Sequence, residues 1–372
     1  MRNGESRVAV SLTPYLIAWR TTSLHDREVV DALVDPVHAG PPQSPQLAAA
    51  LREWPGTYYW SDDRDGRHLV LTRPTPQPRE AWGTHVALFV AVLLVMTLSG
   101  AIVANALPPY PSSWSGTALL HALPRGLSFS LPLLAILLCH ELGHYITARR
   151  YQLSVSPPFF IPGLPAPLGI GTFGAFIRLR TIVNDRRQLL DVGAAGPIAG
   201  FVVALAILWF GLAHSQPWPD SPVGGMAIPW VGEVLAPGDS AVTWLIRHFA
   251  TGDTTTPIML HPIALAGWFG MFVTMLNLLP MAQLDGGHIL YAAFPTLHRR
   301  VARVFWVFIM LLSWFSVTWL IWGLAVLVLS RGQLGHPPVL DAYRPLPNSR
   351  RWLTWLSLLL FLLTFSPVPF RA

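Results

Sequence analysis

The sequence predicts an α-helical polytopic membrane protein of six to seven transmembrane helices, with a re-entrant β segment and a small N-terminal α+β cytosolic domain. Three observations carry that reading. The 372 residues are 52% hydrophobic and only 12% charged, where soluble domains carry about 25% charged residues. The apolar residues gather in stretches of about 20, the length that crosses a hydrocarbon core about 30 Å thick. All 25 basic residues are Arg, against 19 acids, and they fall between those stretches, where positive charge reports topology. No Arg-rich run with interleaved aromatics appears, so no nucleic-acid partner is expected. Cys139 is the single cysteine, which removes intrachain disulfides and Cys-based metal clusters. Any metal must therefore use His and carboxylate.

Residues 1–80 read as the small cytosolic domain. Ser44-Pro45 supplies an N-cap and a first-turn proline ahead of a helical run over residues 46–53, and Pro55-Gly56 stops it. A hairpin follows: residues 58–60 and 68–72 are β-prone and flank a polar turn over residues 62–66 that contains Asp-Gly. The proline-rich runs 41–45 and 74–78 are linker-like. No cleavable signal peptide is expected, because these 80 residues carry nine Arg and no apolar run of h-region length.

Residues 81–330 form the expected membrane core, with spans over residues 84–107, 127–147, 189–213 and 262–281. Residues 304–330 are long for one helix and short for two. The Arg distribution decides between them: Arg331, Arg344, Arg350 and Arg351 put the following loop on the side of Arg299, Arg300 and Arg303, which requires an even number of crossings. The expectation is a tight hairpin of two short helices turning near residues 313–318. Residues 331–372 then supply a basic loop and a last short span over residues 352–366. Between the second and third spans, residues 149–188 carry six Arg at their two ends and are assigned to the cytosolic side. Their centre, residues 157–162 and 170–177, is apolar and rich in Gly and Pro. Irregular backbone at membrane depth is tolerated only where it is buried in protein or lines a wet cavity. A re-entrant sheet with a free edge strand is therefore expected. The loop 214–256, with Arg247 as its one Arg, falls on the outer side.

The second span ends in His140-Glu141-Leu142-Gly143-His144. Residues four apart share a helix face, so His140 and His144 can bind one zinc ion, and Glu141 can reach a water at the metal. Ionisable groups inside an apolar helix are costly and mark function by default. A hydrolytic zinc site takes three protein ligands and keeps one position open. Asp285 is the expected third ligand, because Pro280 and Gly286-Gly287 break the helix around it and let a carboxylate turn inward. His288 is the alternative. Asp191 follows Arg186 and Arg187 and reads as an interfacial ion pair; His214 and His261 read as outer-side interfacial residues.

These two strings, His140-Glu141-Leu142-Gly143-His144 in one span and Asn277…Pro280…Leu284-Asp285-Gly286 after a later one, resemble the site-2 protease family of intramembrane zinc metalloproteases over roughly residues 84–330. The resemblance implies that His140, His144 and Asp285 bind one Zn2+ per chain, that Glu141 is the general base and acid, and that Asn277 lies beside the substrate backbone. The segments 171–175 and 191–200 look like the branch that includes the plastid members and their bacterial relatives. Leu278 stands where many members have Pro, and no insertion of PDZ size is evident. The expected partners are the lipid bilayer and transmembrane protein substrates, cleaved after local unwinding. A substrate would add to the strand over residues 170–177, with Thr172 and Gly174 as contacts, the Gly174 amide serving as a donor and the Thr172 side chain counting for little. The expected location is a bacterial inner membrane with the N-terminus cytosolic. The rival readings are a non-proteolytic metal carrier, which needs ligands but no base such as Glu141, and an inactive scaffold, which the intact motif disfavours.

Overall fold

The computed structural model describes residues 11–23, 27–40, 44–63, 66–74, 80–180, 183, 185–230, 233–337, 339 and 345–371. The linker-like runs, the tip of the 62–66 turn and the middle of the loop 331–351 lie largely outside them. The chain divides into two compact units: residues 1–80 with 152–154 and 179–182, and residues 81–151, 155–178 and 183–372.

The first unit is one antiparallel sheet with two short helices. Strands β1 (Leu16–Ser23), β2 (Arg27–Val34), β3 (Thr57–Asp63) and β4 (Gly66–Pro74) lie in the order β1-β2-β4-β3, and helices α1 (Pro36–Ala39) and α2 (Pro45–Arg52) fall between β2 and β3 in the chain. The expected helix and hairpin are both present, and Ser44 caps α2 by accepting from the Leu47 amide. Strands β1 and β2 were not anticipated. Val30, Ala32 and Val34 alternate inward with Leu69 and Leu71 to meet Leu47 and Leu51 of α2. Val29 and Leu33 on the opposite face of β2 are apolar as well, which hides that period of two in the sequence.

The second unit is helical. Three helices among the described residues are long and apolar enough to cross a membrane: α3 (Trp82–Val103), α4 (Gly116–Arg150) and α5 (Arg186–Ala213). A membrane protein follows from them. Helices α6 (Ala241–Thr251), α7 (Pro262–Asn277), α8 (Asp285–Ala293), α9 (Pro295–Leu312), α10 (Val317–Leu329) and α11 (Arg351–Thr364) complete it, α7 and α10 being apolar but shorter. Residues 304–330 are indeed split between two helices, broken at residues 313–316, although α9 begins earlier, at Pro295. Helix α4 begins eleven residues before the expected span because Ser115 caps it, accepting from the Ala118 amide. Between α4 and α5, β5 (Phe159–Pro162) and β6 (Thr172–Phe176) form a two-stranded antiparallel hairpin with an irregularity at Ile161/Pro162. Residues 214–256, expected as a loop, are folded rather than open. Strands β7 (Gln216–Pro217), β8 (Met226–Trp230), β9 (Glu233–Pro237) and β10 (Ile258–Met259) join β11 (Phe370–Arg371) in the order β11-β9-β8-β10-β7.

Helices in lipid gain little from burying apolar surface against one another, so close backbone approach at small residues decides which pairs pack. At the α5–α7 crossing, a Cβ on Gly211 would lie 2.2 Å from the Ala264 nitrogen, and one on Gly267 would lie 2.6 Å from the Leu208 Cα. Both obstacles are backbone and cannot swing aside. Gly267→Ala should therefore lower the thermal unfolding midpoint of the detergent-purified protein by the equivalent of about 1–3 kcal/mol. Gly83→Ala, at a helical site with nothing within 4 Å, should leave it unchanged or slightly raised.

Candidate metal centre

Helix α4 carries His140, Glu141 and His144 on the face turned toward α5 and α7, and all three are buried. Asp285 opens α8 after the turn that follows α7. The glycines behind it make that turn possible: a Cβ on Gly286 would stand 2.0 Å from the Leu278 carbonyl oxygen, and one on Gly287 would stand 2.5 Å from that of Ala282. The turn points the carboxylate toward the two imidazoles. Its Oδ2 lies 3.2 Å from His140 Nε2 and 3.3 Å from His144 Nε2, and the two Nε2 atoms are 3.1 Å apart.

These three atoms are the one convergent His/Cys/Asp/Glu group of this kind among the described residues. His144 Nδ1–H donates to the Val192 carbonyl at 2.7 Å, which leaves Nε2 as a lone pair facing the group. Lone pairs and a carboxylate this close repel unless a cation sits among them. Zinc bound tetrahedrally at about 2.0–2.1 Å sets ligand-to-ligand edges of about 3.3–3.4 Å, so the donor set fits such an ion. Helix α5 is shaped to the imidazoles. A Cβ on Gly196 would lie 2.0 Å from His144 Nε2, and one on Gly200 would lie 3.1 Å from His140 Nδ1.

Glu141 stands apart from the convergent set, and its carboxylate accepts the backbone N–H of Ile177. Asn277 ends α7 with Nδ2 3.2 Å from His140 Nε2. A cavity of about 490 Å³ opens here, lined by His140, Glu141 and Asn277 together with Thr172, Gly174 and Phe370. Thr172 and Gly174 are thus at the site, but in a different arrangement from the expected one. Gly174 has φ +105°, and its amide is already taken by the Thr172 hydroxyl at 2.9 Å, while that hydroxyl donates to the Ile161 carbonyl at 3.0 Å. The Thr172 side chain holds the hairpin, and the Gly174 amide is not a free donor.

His288, the alternative ligand, points elsewhere: its Nδ1 is 2.7 Å from His336 Nε2, and burial pushes the His336 imidazole down. Asp191 has an ion pair, but with Arg350 at 3.0 Å rather than with Arg186 or Arg187, and it also accepts from the Tyr151 hydroxyl. His261 caps α7, accepting from the Ile263 amide, and His214 Nδ1 sits 2.8 Å from the Phe210 carbonyl.

The sequence profile of peptidase family M50 matches residues 128–317, just over half of the chain and the whole of the stretch from His140 to Asp285. The chain belongs to peptidase family M50. The resemblance to site-2 proteases thus holds. Over 244 residues the chain is 31% identical to the probable zinc metalloprotease EGY1, chloroplastic, of Arabidopsis thaliana, a match covering 63% of this chain and 42% of that protein. It is 32% identical over 258 residues to the probable zinc metalloprotease EGY2, chloroplastic, of the same plant, covering 68% and 43%. The rice protein of the EGY1 name is 30% identical over 236 residues, covering 59% and 39%. The chain spans about two fifths of the length of these relatives. No solved structure matches it.

Three parts of the site were not anticipated: the Val192 carbonyl, the Ile177 amide and Gly196. Backbone groups leave no signature in a sequence, but the run Gly193-Ala194-Ala195-Gly196-Pro197 on an otherwise bulky span did mark a close helix approach. Gly196→Ala should release the metal from the purified protein as thoroughly as His144→Ala does, because the new methyl occupies the space of the imidazole nitrogen. Metal analysis of both variants against the parent is the check, and retention of metal by Gly196→Ala would contradict this packing.

Proposed function

We propose that this chain is a zinc-dependent intramembrane endopeptidase that cleaves transmembrane segments of membrane protein substrates. The observation that carries the reading is the convergence of His140, His144 and Asp285 beside a carboxylate, Glu141, that does not join them. His140, His144 and Asp285 would hold zinc, which when bound supplies Lewis acidity toward a carbonyl and makes water a nucleophile near neutral pH. Glu141 takes the proton of the attacking water and returns it to the leaving amine, its carboxylate held by the Ile177 amide. Asn277 lies where a substrate backbone group would pass. A metal carrier would need the ligands alone, and a separately held base beside an open cavity favours hydrolysis.

A transmembrane helix keeps its amides in internal hydrogen bonds and must unwind before attack. Strand β6 pairs with β5 on one edge, and Thr172 and Gly174 line the cavity. An unwound segment adding to the other edge of β6 would be led past Glu141 to Asn277. We read the β5–β6 hairpin as re-entrant, α3, α4, α5, α7, the α9–α10 pair and α11 as the six to seven crossings, and residues 1–80, 81–330 and 331–372 as domain, protease core and final loop with helix. The location we assign is a bacterial inner membrane with residues 1–80 on the cytosolic side, supported by the Arg distribution.

Glu141→Gln should keep its zinc and its thermal stability while losing at least about 100-fold in cleavage of a Gly-containing transmembrane peptide, since an amide cannot accept the proton of water. Activity near that of the parent would remove Glu141 from the mechanism, and a parent that cuts no peptide would favour the carrier. For the topology, single cysteines at Asp220 and Ser349, both exposed, in a Cys139→Ala background should react with a membrane-impermeant thiol reagent from opposite faces of sealed vesicles. Labelling of both from one face would overturn the even number of crossings between Arg303 and Arg331.

A further inference from the structure

The last strand of the chain closes the catalytic cavity. After α11 the backbone runs as a strap fixed at successive points. The Ser366 amide lies 3.4 Å from Met275 Sδ, Trp319 Nε1 donates to the Pro367 carbonyl at 2.7 Å, and the Gly238 amide donates to the Pro369 carbonyl at 2.8 Å. Phe370 and Arg371 then pair with Pro237 and Ala236 as β11 against β9. Gly238 permits this passage, since a Cβ there would lie 2.0 Å from the Val368 carbonyl oxygen. The strap delivers one side chain inward. The Phe370 ring sits 5.0 Å from that of Trp268 and 6.1 Å from those of Phe269 and Phe272, and it lines the cavity that holds Glu141 and Asn277.

The helix rise fixes how far along the cavity Phe370 acts. Phe272 and Phe269 precede Asn277 by five and eight residues on α7, about 7.5 and 12 Å at 1.5 Å per residue. An extended chain advances about 3.3 Å per residue, so the Phe370 ring faces a side chain two to four residues from the scissile bond, on the side away from Arg149 and Arg150. The neighbouring walls are apolar, with Leu133 and Leu137 on α4 and Trp322 on α10, and rigid, because the strap is tied to α7, α10 and β9.

We propose that Phe370 is a specificity-determining residue, closing an apolar subsite on the outer side of the scissile bond that accepts small and aliphatic side chains and rejects aromatic ones. This rests on the proteolytic reading above. The substrate class is therefore a transmembrane segment whose two to four residues outward of the cut are Ala, Val, Leu or their like.

The test uses the full chain in detergent and transmembrane peptides whose cleavage position is mapped by mass spectrometry. A single Trp replaces Ala at the second, third or fourth residue outward of the cut, or at one residue on the cytosolic side. The parent should cleave at least one outward-Trp peptide with kcat/KM lowered about tenfold or more, and Phe370→Ala should bring that ratio within about threefold of unity while leaving the cytosolic-side ratio unmoved. A purely structural role would lower cleavage of all peptides alike and overturn the proposal, as would an outward-Trp penalty that Phe370→Ala does not relieve. Phe370→Leu, which keeps an apolar side chain on the strap, replaces Phe370→Ala if the latter does not purify. The same peptides are titrated onto Glu141→Gln with and without Phe370→Ala. A binding penalty for outward Trp that is independent of Phe370 overturns the subsite whatever cleavage shows, whereas a parent that cuts no peptide overturns the proteolytic reading instead.

Discussion

Two imidazoles and a carboxylate brought within 3.3 Å of one another inside an apolar bundle are the constraint around which the rest of this molecule is arranged. Polar groups at membrane depth must find partners within the protein, and these three come from two elements. His140 and His144 stand on consecutive turns of α4, and Asp285 arrives from the start of α8. Helix α5 lies against both imidazoles with glycine where a side chain would intrude, and it supplies the Val192 carbonyl that fixes the His144 tautomer. Packing and coordination are therefore one problem. The close crossings of α5 with α4 and α7 bring the ligands together, and the ligands in turn limit which residues those crossings can carry.

The metal ligands were legible because their chemistry is written in side chains at a helical spacing. Asp285 was legible for a related reason, since Pro280 and Gly286-Gly287 announce a turn wherever they occur. The hairpin β5–β6 showed itself through Gly and Pro in an apolar segment. What escaped reading shares a physical cause. Strand β1 has β2 for its partner and β2 pairs in turn with the distant β4, while apolar Val29 and Leu33 on the other face mask the alternation of β2. Three of the five strands in the sheet that carries β11 are only two residues long, β7, β10 and β11 itself, and strands that short have no period to detect. The Asp191–Arg350 pair joins groups 159 residues apart, so the nearer Arg186 and Arg187 looked like the partners. Thr172 and Gly174 line the cavity beside Glu141, but the bond between the Thr172 hydroxyl and the Gly174 amide cannot be inferred from composition.

The cavity has two chemical ends. Toward the metal it presents Glu141, Asn277 and the hairpin, groups that recognise backbone and are indifferent to side chains. Toward the sheet that carries β11 it presents aromatic and aliphatic walls, which can meet side chains but offer nothing to backbone. A segment passing through would be held by its amides at one end and sorted by its side chains at the other. On the proteolytic reading proposed above, such a division would select a segment by its backbone at one end and by its side chains at the other.

The tie between Asp191 and Arg350, the hydrogen bond from the Ala282 amide to the Leu334 carbonyl and the strap carrying Phe370 all come from residues made late in synthesis. A nascent chain released only as far as α8 already owns every ligand, but it lacks the anchor on α5, the brace behind the turn that aims Asp285, and one wall of the cavity. Translation proceeds from the N-terminus at a pace of about 5–20 residues per second, so these enclosing contacts can form only some seconds after the three side chains have been made. The order of the elements along the chain thus sets an order of assembly: His140, His144 and Asp285 are made before the contacts that enclose them.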